Sequence, residues 1–548
     1  MKKISIKRNR TEIIFIITAL IFSFWLMTAT FGSDPNAGTI TIAGKAYSDF
    51  AANIPLIRSF SWGENFPPEY PLFPGEPIRY HFLFYLLVGT LEKIGIPLGW
   101  ALNLPSILGF FSLLLMIYFL AKTLFKSILV AVLSAILFLF NGSFGFYYFF
   151  QKHPLSFPQT ILDIAATQSF SAFGPYDKNP VTAFWNLNIY TNQRHFASGL
   201  FFALLPLYLF LRASKKKRPP SIKVTIALGL ILGLLPFWHA TAFIIFLIML
   251  AGIFLFLPFK RQVFLIALIG LFMAFPQFLY LTRSQNLSSL HFHPGYLIAN
   301  NLSITSFLQF WFLNLGLSSL LIPLGVFLAP PKARKIFWII LPVFIIGNLF
   351  QFSPDIAVNH KFFNFFLLVG NIFTAFLLSL LWRKNYLTKV LTLGLLFFLT
   401  LSGIIDFFAI RNDHSYTLDD APRNPDIVWI KENTPSSSIF LNSSFLYHPA
   451  SLAGRKIFLG WPYFTWSAGY DTNKRGRIFR QLYQETTLLK ACQDLKENSI
   501  DYITEDRSFA NPDLPPISLL FRSQFTKLYE NKQTSFTIYG RQESCHER

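Results

Sequence analysis

Two short stretches place ionisable side chains in a chain that otherwise spends few of them. In YSDFAANIPLIRSF, residues 47–60, Asp49 follows closely on the first apolar run. A carboxylate in that position can accept a proton from a hydroxyl or hold a metal ion. In NHKFFNFFLLVGN, Lys361 follows Asn359 and His360 at the head of a late apolar run. A cation there can stabilise an anion that leaves. Arg58, Arg79 and His81 lie in the loop of Asp49 or at its exit and supply further positive charge. Each has a plainer alternative: a solvated loop acid for Asp49, a side chain snorkelling to headgroups for Lys361, and an internally hydrogen-bonded imidazole for His81 and His239.

Composition sets the class of element that must carry these groups. Of 548 residues, 53% are hydrophobic and only 14% charged, against about 25% charged in an average soluble domain. Twelve apolar runs are read: 12–31, 80–95, 99–121, 127–147, 195–212, 222–238, 240–257, 263–282, 306–329, 336–353, 361–382 and 390–410. Most can cross a hydrocarbon core of roughly 30 Å. The fold class expected is an all-α polytopic membrane protein. Net charge is +20, but the basic residues cluster between apolar runs, at Lys215–Arg218, Lys260–Arg261, Lys332–Lys335 and Arg383–Lys389. That is how topology signals are placed, and it argues against nucleic acid as a partner.

The opening MKKISIKRNR puts the N-terminus in the cytoplasm of a plasma-membrane protein, with loops 32–79, 148–194, 283–305 and 354–360 facing outward. A chain that starts inside and ends outside needs an odd number of crossings. The expectation is therefore 11–13 crossings, with 80–95 and the aromatic region 144–191 as the doubtful members. The transmembrane domain takes residues 1–410, with its long first outer loop at 32–79. Residues 411–548 alternate short apolar runs (SSIFLNSS, RKIFLGW, IDYITED, TKLYEN, TSFTIYG) with helical stretches, and read as an extracytoplasmic α/β domain. Both cysteines, Cys492 and Cys545, lie in it, where an oxidising exterior permits a bridge.

The first outer loop is long for a structureless connection, which favours a folded functional element. Phe50, Ile54 and Ile57 share one helical face, as in an amphipathic segment lying in the interface, while Asp49 and Asn53 lie one turn apart on another. Pro55 suits a first helical turn, so Asn53 could cap a helix with Asp49 just ahead of it.

With the loop Asp of YSDF, the segment PGEPIRYHFLFYLLVGTLEKIGIPLGWALNLPSILG and the late NHKFFNFFLLVGN, the layout resembles the GT-C superfamily of membrane glycosyltransferases, which includes the protein O-mannosyltransferases and bacterial aminoarabinose transferases. The resemblance implies a polyprenyl-phosphate-linked sugar donor, a lipid, glycan or protein acceptor, and membrane lipids as surroundings. It implies Asp49 as catalytic base or metal ligand, and Lys361, Arg58, Arg79 and His81 at the donor phosphate. Asn53, Asp177, Asn192, Gln193, Arg194, His195 and His360 then line the donor or acceptor cavity. The second outer loop contains FGPYDKNPVTAFWNLNIYTNQRHFASG, whose amides and aromatic faces suit a sugar ring, though aromatics are also ordinary at a membrane interface. The family's paired acids are missing: Asp34, Glu64 and Glu69 stand at unrelated spacing, so no cofactor is assigned and a divalent cation (Mg or Mn) on Asp49 stays open.

Neither GxxxxGK[ST], HExxH nor CxxC occurs, so an ATP-driven pump, a zincin or a zinc ribbon lacks its minimal chemistry. The alternatives are a transporter or flippase of lipid-linked sugars, or a membrane-anchored binding or assembly protein. A transporter places ionisable groups at mid-membrane, whereas the conspicuous ones here gather at the outer mouths.

Overall fold

The computed structural model describes residues 6–175, 177, 179–282, 290–298, 302–507 and 513–545. Part of the loop expected at 283–305, and the first five residues of the basic N-terminus, lie outside them. Contacts divide the chain into two compact units. The first comprises Met1–Ala29, Pro105–Phe278 and Leu290–His414, the second Thr30–Leu104, Leu279–Ser289 and Ser415–Arg548. The boundary expected after residue 410 thus falls near 414, and the first outer loop belongs to the same unit as the C-terminal segment.

Among the described residues, six helices are long and apolar enough to cross a membrane: Arg10–Thr30, Leu98–Phe125, Phe196–Lys216, Lys260–Leu281, Ile356–Trp382 and Tyr386–Arg411. The pair Ile304–Leu315 and Ser318–Leu328, bent by 87°, makes a seventh if it is one span. Three shorter apolar helices, Ile128–Leu139, Ile222–Trp238 and Ala240–Phe256, coincide with further expected runs, as does Pro331–Leu349, which begins with three basic residues. The run at 80–95 does not. Its helix, Leu83–Lys93, has 11 residues and spans about 16 Å. Among its described residues the aromatic region 144–191 holds the short helices Gly145–Lys152, Gln159–Ala166 and Thr182–Leu187 and a π-helical turn, Asn188–Asn192.

The first unit is organised around the helix His360–Trp382, buried along nearly its whole length and packed by Ile128–Leu139, Ser318–Leu328 and Pro331–Leu349. Between apolar helices in lipid, association rests on close packing, which small residues permit. A Cβ at Gly325 would lie 2.4 Å from the Phe373 carbonyl oxygen, and one at Gly347 2.8 Å from Phe362 Cβ. His360, Asn364 and Asn371, at i, i+4 and i+11, form a polar stripe along this helix.

In the second unit, Phe31–Asp34, Thr39–Ala43 and Ser415–Asp419 form an antiparallel sheet in which Thr39 faces Asp419. The chain then enters the loop helix Tyr47–Ser61. This helix runs through Pro55, so Asn53 is not its cap and Asp49 sits inside its first turn, where a negative charge meets the positive helix end. Phe50, Ile54 and Ile57 are fully buried, which makes the helix an internal element of its unit rather than one lying on lipid. It packs on Leu83–Lys93 at Gly89, where a Cβ would come 2.7 Å from the Ile57 carbonyl oxygen. The C-terminal segment builds a five-stranded mixed sheet in the order Lys456–Ile457, Ile439–Leu441, Tyr502–Asp506, Phe536–Gly540, Thr526–Asn531. Cys492 and Cys545 are bridged, with Cα atoms 5.6 Å apart.

Within that segment His448 is fully buried. Its Nδ1 accepts from the Ala450 amide at 3.2 Å, and Nε2 faces Thr504 Oγ1 at 3.0 Å as donor. Burial pushes its pKa down to about 3. The unfolded chain takes up this proton near pH 6.5, so stability present above that pH drains away as pH falls toward 3, by on the order of 5 kcal/mol in full. We expect the denaturant midpoint of the second unit, followed by limited proteolysis, to fall between about pH 6.5 and pH 4 in the wild type. His448→Asn, which keeps an acceptor for the Ala450 amide, should flatten that slope; an unchanged slope would remove His448 as its source.

Candidate functional site

The expected residues divide between the two units. Asp49, Asn53, Arg58, Arg79 and His81 belong to the second; Asp177, Asn192, Gln193, Arg194, His195, His360 and Lys361 belong to the first.

In the second unit the Asp49 carboxylate is half-buried, one turn before Asn53 on the loop helix. It lies within electrostatic reach of the phenols of Tyr80, Tyr85 and Tyr447. Burial is the main cause that raises all three phenols above their ordinary value; the negative charge of Asp49 comes next at Tyr80, and adds after Tyr80 at Tyr85 and after Tyr47 at Tyr447. They therefore stay neutral hydroxyl donors. Tyr80 and Tyr85 hydrogen-bond to each other, and Tyr447 Oη donates to the Tyr47 carbonyl. The Tyr47 ring stands 4.6 Å from that of Tyr447 and 4.7 Å from that of Tyr416. Sequence reasoning missed this aromatic wall. Tyr80 and Tyr85 were hidden in a run read as a span, and Tyr447 arrives from nearly 400 residues downstream.

Arg58 requires a correction. It is 2% exposed, with Nε 2.9 Å from Glu92 and Nη2 2.6 Å from Asp420, and its guanidinium lies 3.3 Å over the Trp62 ring. Two carboxylates answer its single charge, which leaves none for a phosphate. Burial raises the Glu92 carboxyl above its ordinary value, against the opposing pull of Arg58 and Ser61. Arg79 is also held within its unit, by Glu76 at 3.1 Å, by the Gly469 carbonyl, and over the Tyr470 ring at 4.7 Å. His81 is buried, its ring 3.7 Å from that of Tyr80.

A hard divalent cation takes several oxygen ligands. Of the other acids of the loop, Asp34 accepts from the amides of Asn36 and Ala37, and Glu69 pairs with Lys456 at 2.8 Å. With Glu76 on Arg79 these carboxylates are committed to turns and ion pairs, and Glu64 is exposed, so among the described residues the loop does not fit a multi-carboxylate metal centre.

In the first unit Lys361 is 3% exposed and occupies the first turn of its helix. His195, His239 and His360 are all fully buried within its electrostatic reach. The rings of His195 and His239 are 5.3 Å apart, and the Phe196 ring stands 5.0 Å from His239 and 5.9 Å from His360. Asn364 Nδ2 meets His360 Nδ1 at 3.0 Å, which assigns the ring proton to Nε2. Among the described residues that buried Nε2 has no hydrogen-bond partner. His239 Nδ1 accepts from the Ala242 amide, closing the N-terminus of Ala240–Phe256. Lys361 and the His360 Nε2–H thus lie together at the head of the helix His360–Trp382, a grouping of donors that can meet an anion.

The remaining residues of this unit bond within the protein, Arg194 to the first helix and the others within their own segment. Arg194 reaches the Met27 carbonyl at 3.4 Å, Gln193 Nε2 donates to Asn188 Oδ1 at 2.9 Å, and Asn192 Oδ1 accepts from Thr191 at 2.8 Å. The π-helical turn Asn188–Asn192 is a form that often marks functional positions. Asp177 is exposed. Partial burial pushes its carboxyl up, but amides of Asn179, Gly174 and Phe173 outweigh this and hold it below the usual range. It closes a turn rather than lining a cavity.

No protein-family model and no curated protein matches the chain. Solved structures do. The archaeal oligosaccharyltransferase AglB from Archaeoglobus fulgidus, in complex with an inhibitory peptide and a dolichol-phosphate, matches with a TM-score of 0.51 at 13% identity over 99% of this chain and 75% of that one. Arabinofuranosyltransferase AftD from Mycobacteria matches with a TM-score of 0.51 at 12% identity over 97% of this chain, which spans 40% of AftD. ArnT from Cupriavidus metallidurans bound to undecaprenyl phosphate gives 0.49 at 10% identity, over 97% and 98% of the two chains.

The placement of Arg58 makes a separable prediction. Arg58→Gln strands two buried carboxylates and should cost roughly 3–5 kcal/mol of stability, read as earlier thermal unfolding. Lipid-phosphate affinity, measured where the variant is still folded, should match the wild type. A folded variant that loses that affinity would restore Arg58 to the phosphate.

Proposed function

We propose that this chain, which has the fold of the GT-C glycosyltransferases, is a membrane glycosyltransferase that moves a sugar from a polyprenyl-phosphate-linked donor to a hydroxyl of a lipid, glycan or protein acceptor at the outer membrane face. The observation that carries the reading is the buried Lys361 at a helix N-terminus, beside a His360 Nε2–H without a partner among the described residues. Such a site suits a phosphate that gains charge as it departs. That AglB was solved with a dolichol-phosphate supports a lipid phosphate as its ligand here.

In the reaction the acceptor oxygen bonds to the anomeric carbon as the bond from that carbon to the phosphate oxygen breaks. The electron pair stays on the polyprenyl phosphate, stabilised by Lys361 and His360. The hydroxyl proton is taken up by a carboxylate, the role proposed for Asp49.

The test is transfer from radiolabelled polyprenyl-phosphate sugars by the purified full-length protein. Asp49→Asn should lower turnover about 10²–10⁴-fold while leaving polyprenyl-phosphate binding intact. Lys361→Met should weaken that binding and slow transfer about 10²–10³-fold. Full activity in Asp49→Asn would remove it as the base, and wild-type lipid-phosphate affinity in Lys361→Met would remove the anion site.

A further inference from the structure

The helix Ile128–Leu139, with 12 residues and a length of about 18 Å, is too short to cross a hydrocarbon core of roughly 30 Å. Its end meets the span Tyr386–Arg411 at the middle of that span. A Cβ at Gly142 would lie 2.2 Å from the Leu399 carbonyl oxygen, and one at Gly403 2.3 Å from the Phe140 carbonyl carbon. The stretch 399–411 that remains is about 18 Å of helix.

That stretch is flanked by the hairpin of Gly145–Lys152 and Gln159–Ala166. The Phe146 ring stands 5.9 Å from that of Phe398, and Phe149 packs with Leu401 and Ile405, with Ile164 against them. At the end of the span Asn412 Nδ2 donates to the carbonyls of Ala165 at 2.7 Å and Thr167 at 3.0 Å. The hairpin therefore touches the span from its middle to its end, which is the depth of one leaflet. Each of its helices, about 12 Å long, is too short to cross by itself.

The other face of the hairpin is apolar and uncovered among the described residues. Leu155 is 74% exposed, Phe157 83%, Ile161 54% and Leu162 58%. Polar side chains nearby turn to one another: Gln159 Nε2 donates to Asp163 Oδ1 at 2.7 Å, and His153 Nδ1 lies 3.5 Å from the same carboxylate. Backbone groups at the tip are also answered, with the Ser156 amide on Thr160 Oγ1 at 3.0 Å and the Thr160 amide on the Ser156 carbonyl at 2.8 Å. Such pairing is what irregular backbone needs near hydrocarbon.

We infer that residues 145–166 are a wedge seated in one leaflet, with Leu155, Phe157, Ile161 and Leu162 against lipid acyl chains. The wedge completes, beside Tyr386–Arg411, the crossing that Ile128–Leu139 leaves half made. Bilayer lipid is the occupant because the patch continues the outward face of the span, where Leu393, Phe397 and Phe398 are exposed, and Phe398 itself meets the hairpin. Amphipathic segments with a large apolar face settle at this boundary.

The experiment uses the full-length protein in phosphatidylcholine vesicles. Its two cysteines are bridged to each other, so one introduced cysteine is the single free thiol. Leu155→Cys, Phe157→Cys, Ile161→Cys and Leu162→Cys, each spin-labelled, are compared with Lys532→Cys in the exposed turn between Thr526–Asn531 and Phe536–Gly540. Power saturation measures collisions with oxygen, which partitions into lipid, and with nickel-EDDA, which stays in water. The ratio of oxygen to nickel collisions should be several-fold higher at the four hairpin positions than at Lys532→Cys. A ratio equal to that at Lys532→Cys would place the hairpin in water and overturn the wedge. Few collisions with either reagent would show protein over the patch, such as a second copy of the chain, and would equally overturn it. A labelled variant that misfolds is recognised by its thermal midpoint, and the remaining positions then decide.

Discussion

The second unit depends on one buried guanidinium. Arg58 joins the loop helix to Glu92 at the end of Leu83–Lys93 and to Asp420, just past the strand Ser415–Asp419. Trp62 covers it on one side, with Lys431 above the same ring at 3.9 Å. A buried charge that loses one partner leaves the other uncompensated, so the three segments are fixed together or not at all. The loop helix carries Asp49 nine residues, about two and a half turns, upstream of this clamp, which holds that helix in place.

The first unit solves a different problem, that of holding cations and amides in a bundle of apolar helices. Lys361 and three imidazoles sit at the head of a helix whose apolar length is gripped at Gly325, Gly347 and Gly370. Close backbone contact does there what ion pairing does in the second unit. A polar stripe of His360, Asn364 and Asn371 can then enter the bundle without loosening it, because Asn364 bonds His360 and Asn371 accepts from Ser318 at 3.1 Å.

Period and composition made much of this legible. All five apolar runs named in the C-terminal segment are the five strands of its sheet, and the apolar face of the loop helix is buried as its spacing implied. The failures share a cause, namely that chain-local signals carry no information on partners. Residues 80–95 have the hydropathy of a span, but Glu92 is spent on Arg58 and the helix is too short. Arg58 and Asp177 have the chemistry of a binding site and were claimed by a distant acid and by neighbouring amides. Pro55 suggested a helix start because the sequence shows its missing donor but not the burial that carries the helix through it. The tyrosines around Asp49, Tyr80 and Tyr85 from one stretch and Tyr447 from another far downstream, are assembled only by the fold.

The pairing of Thr39–Ala43 with Ser415–Asp419, clamped by an ion pair spanning 362 residues, has a consequence for biosynthesis. The loop bearing Asp49 leaves the ribosome early, but the edge that completes its sheet and the acid that answers Arg58 emerge only after the last apolar helix. Until then this loop has no finished tertiary frame, and contacts so far apart in sequence form late. Maturation of the carboxylate's surroundings is thereby coupled to insertion of every helix between, so a chain stalled or truncated within the bundle holds its reactive group in an unassembled loop.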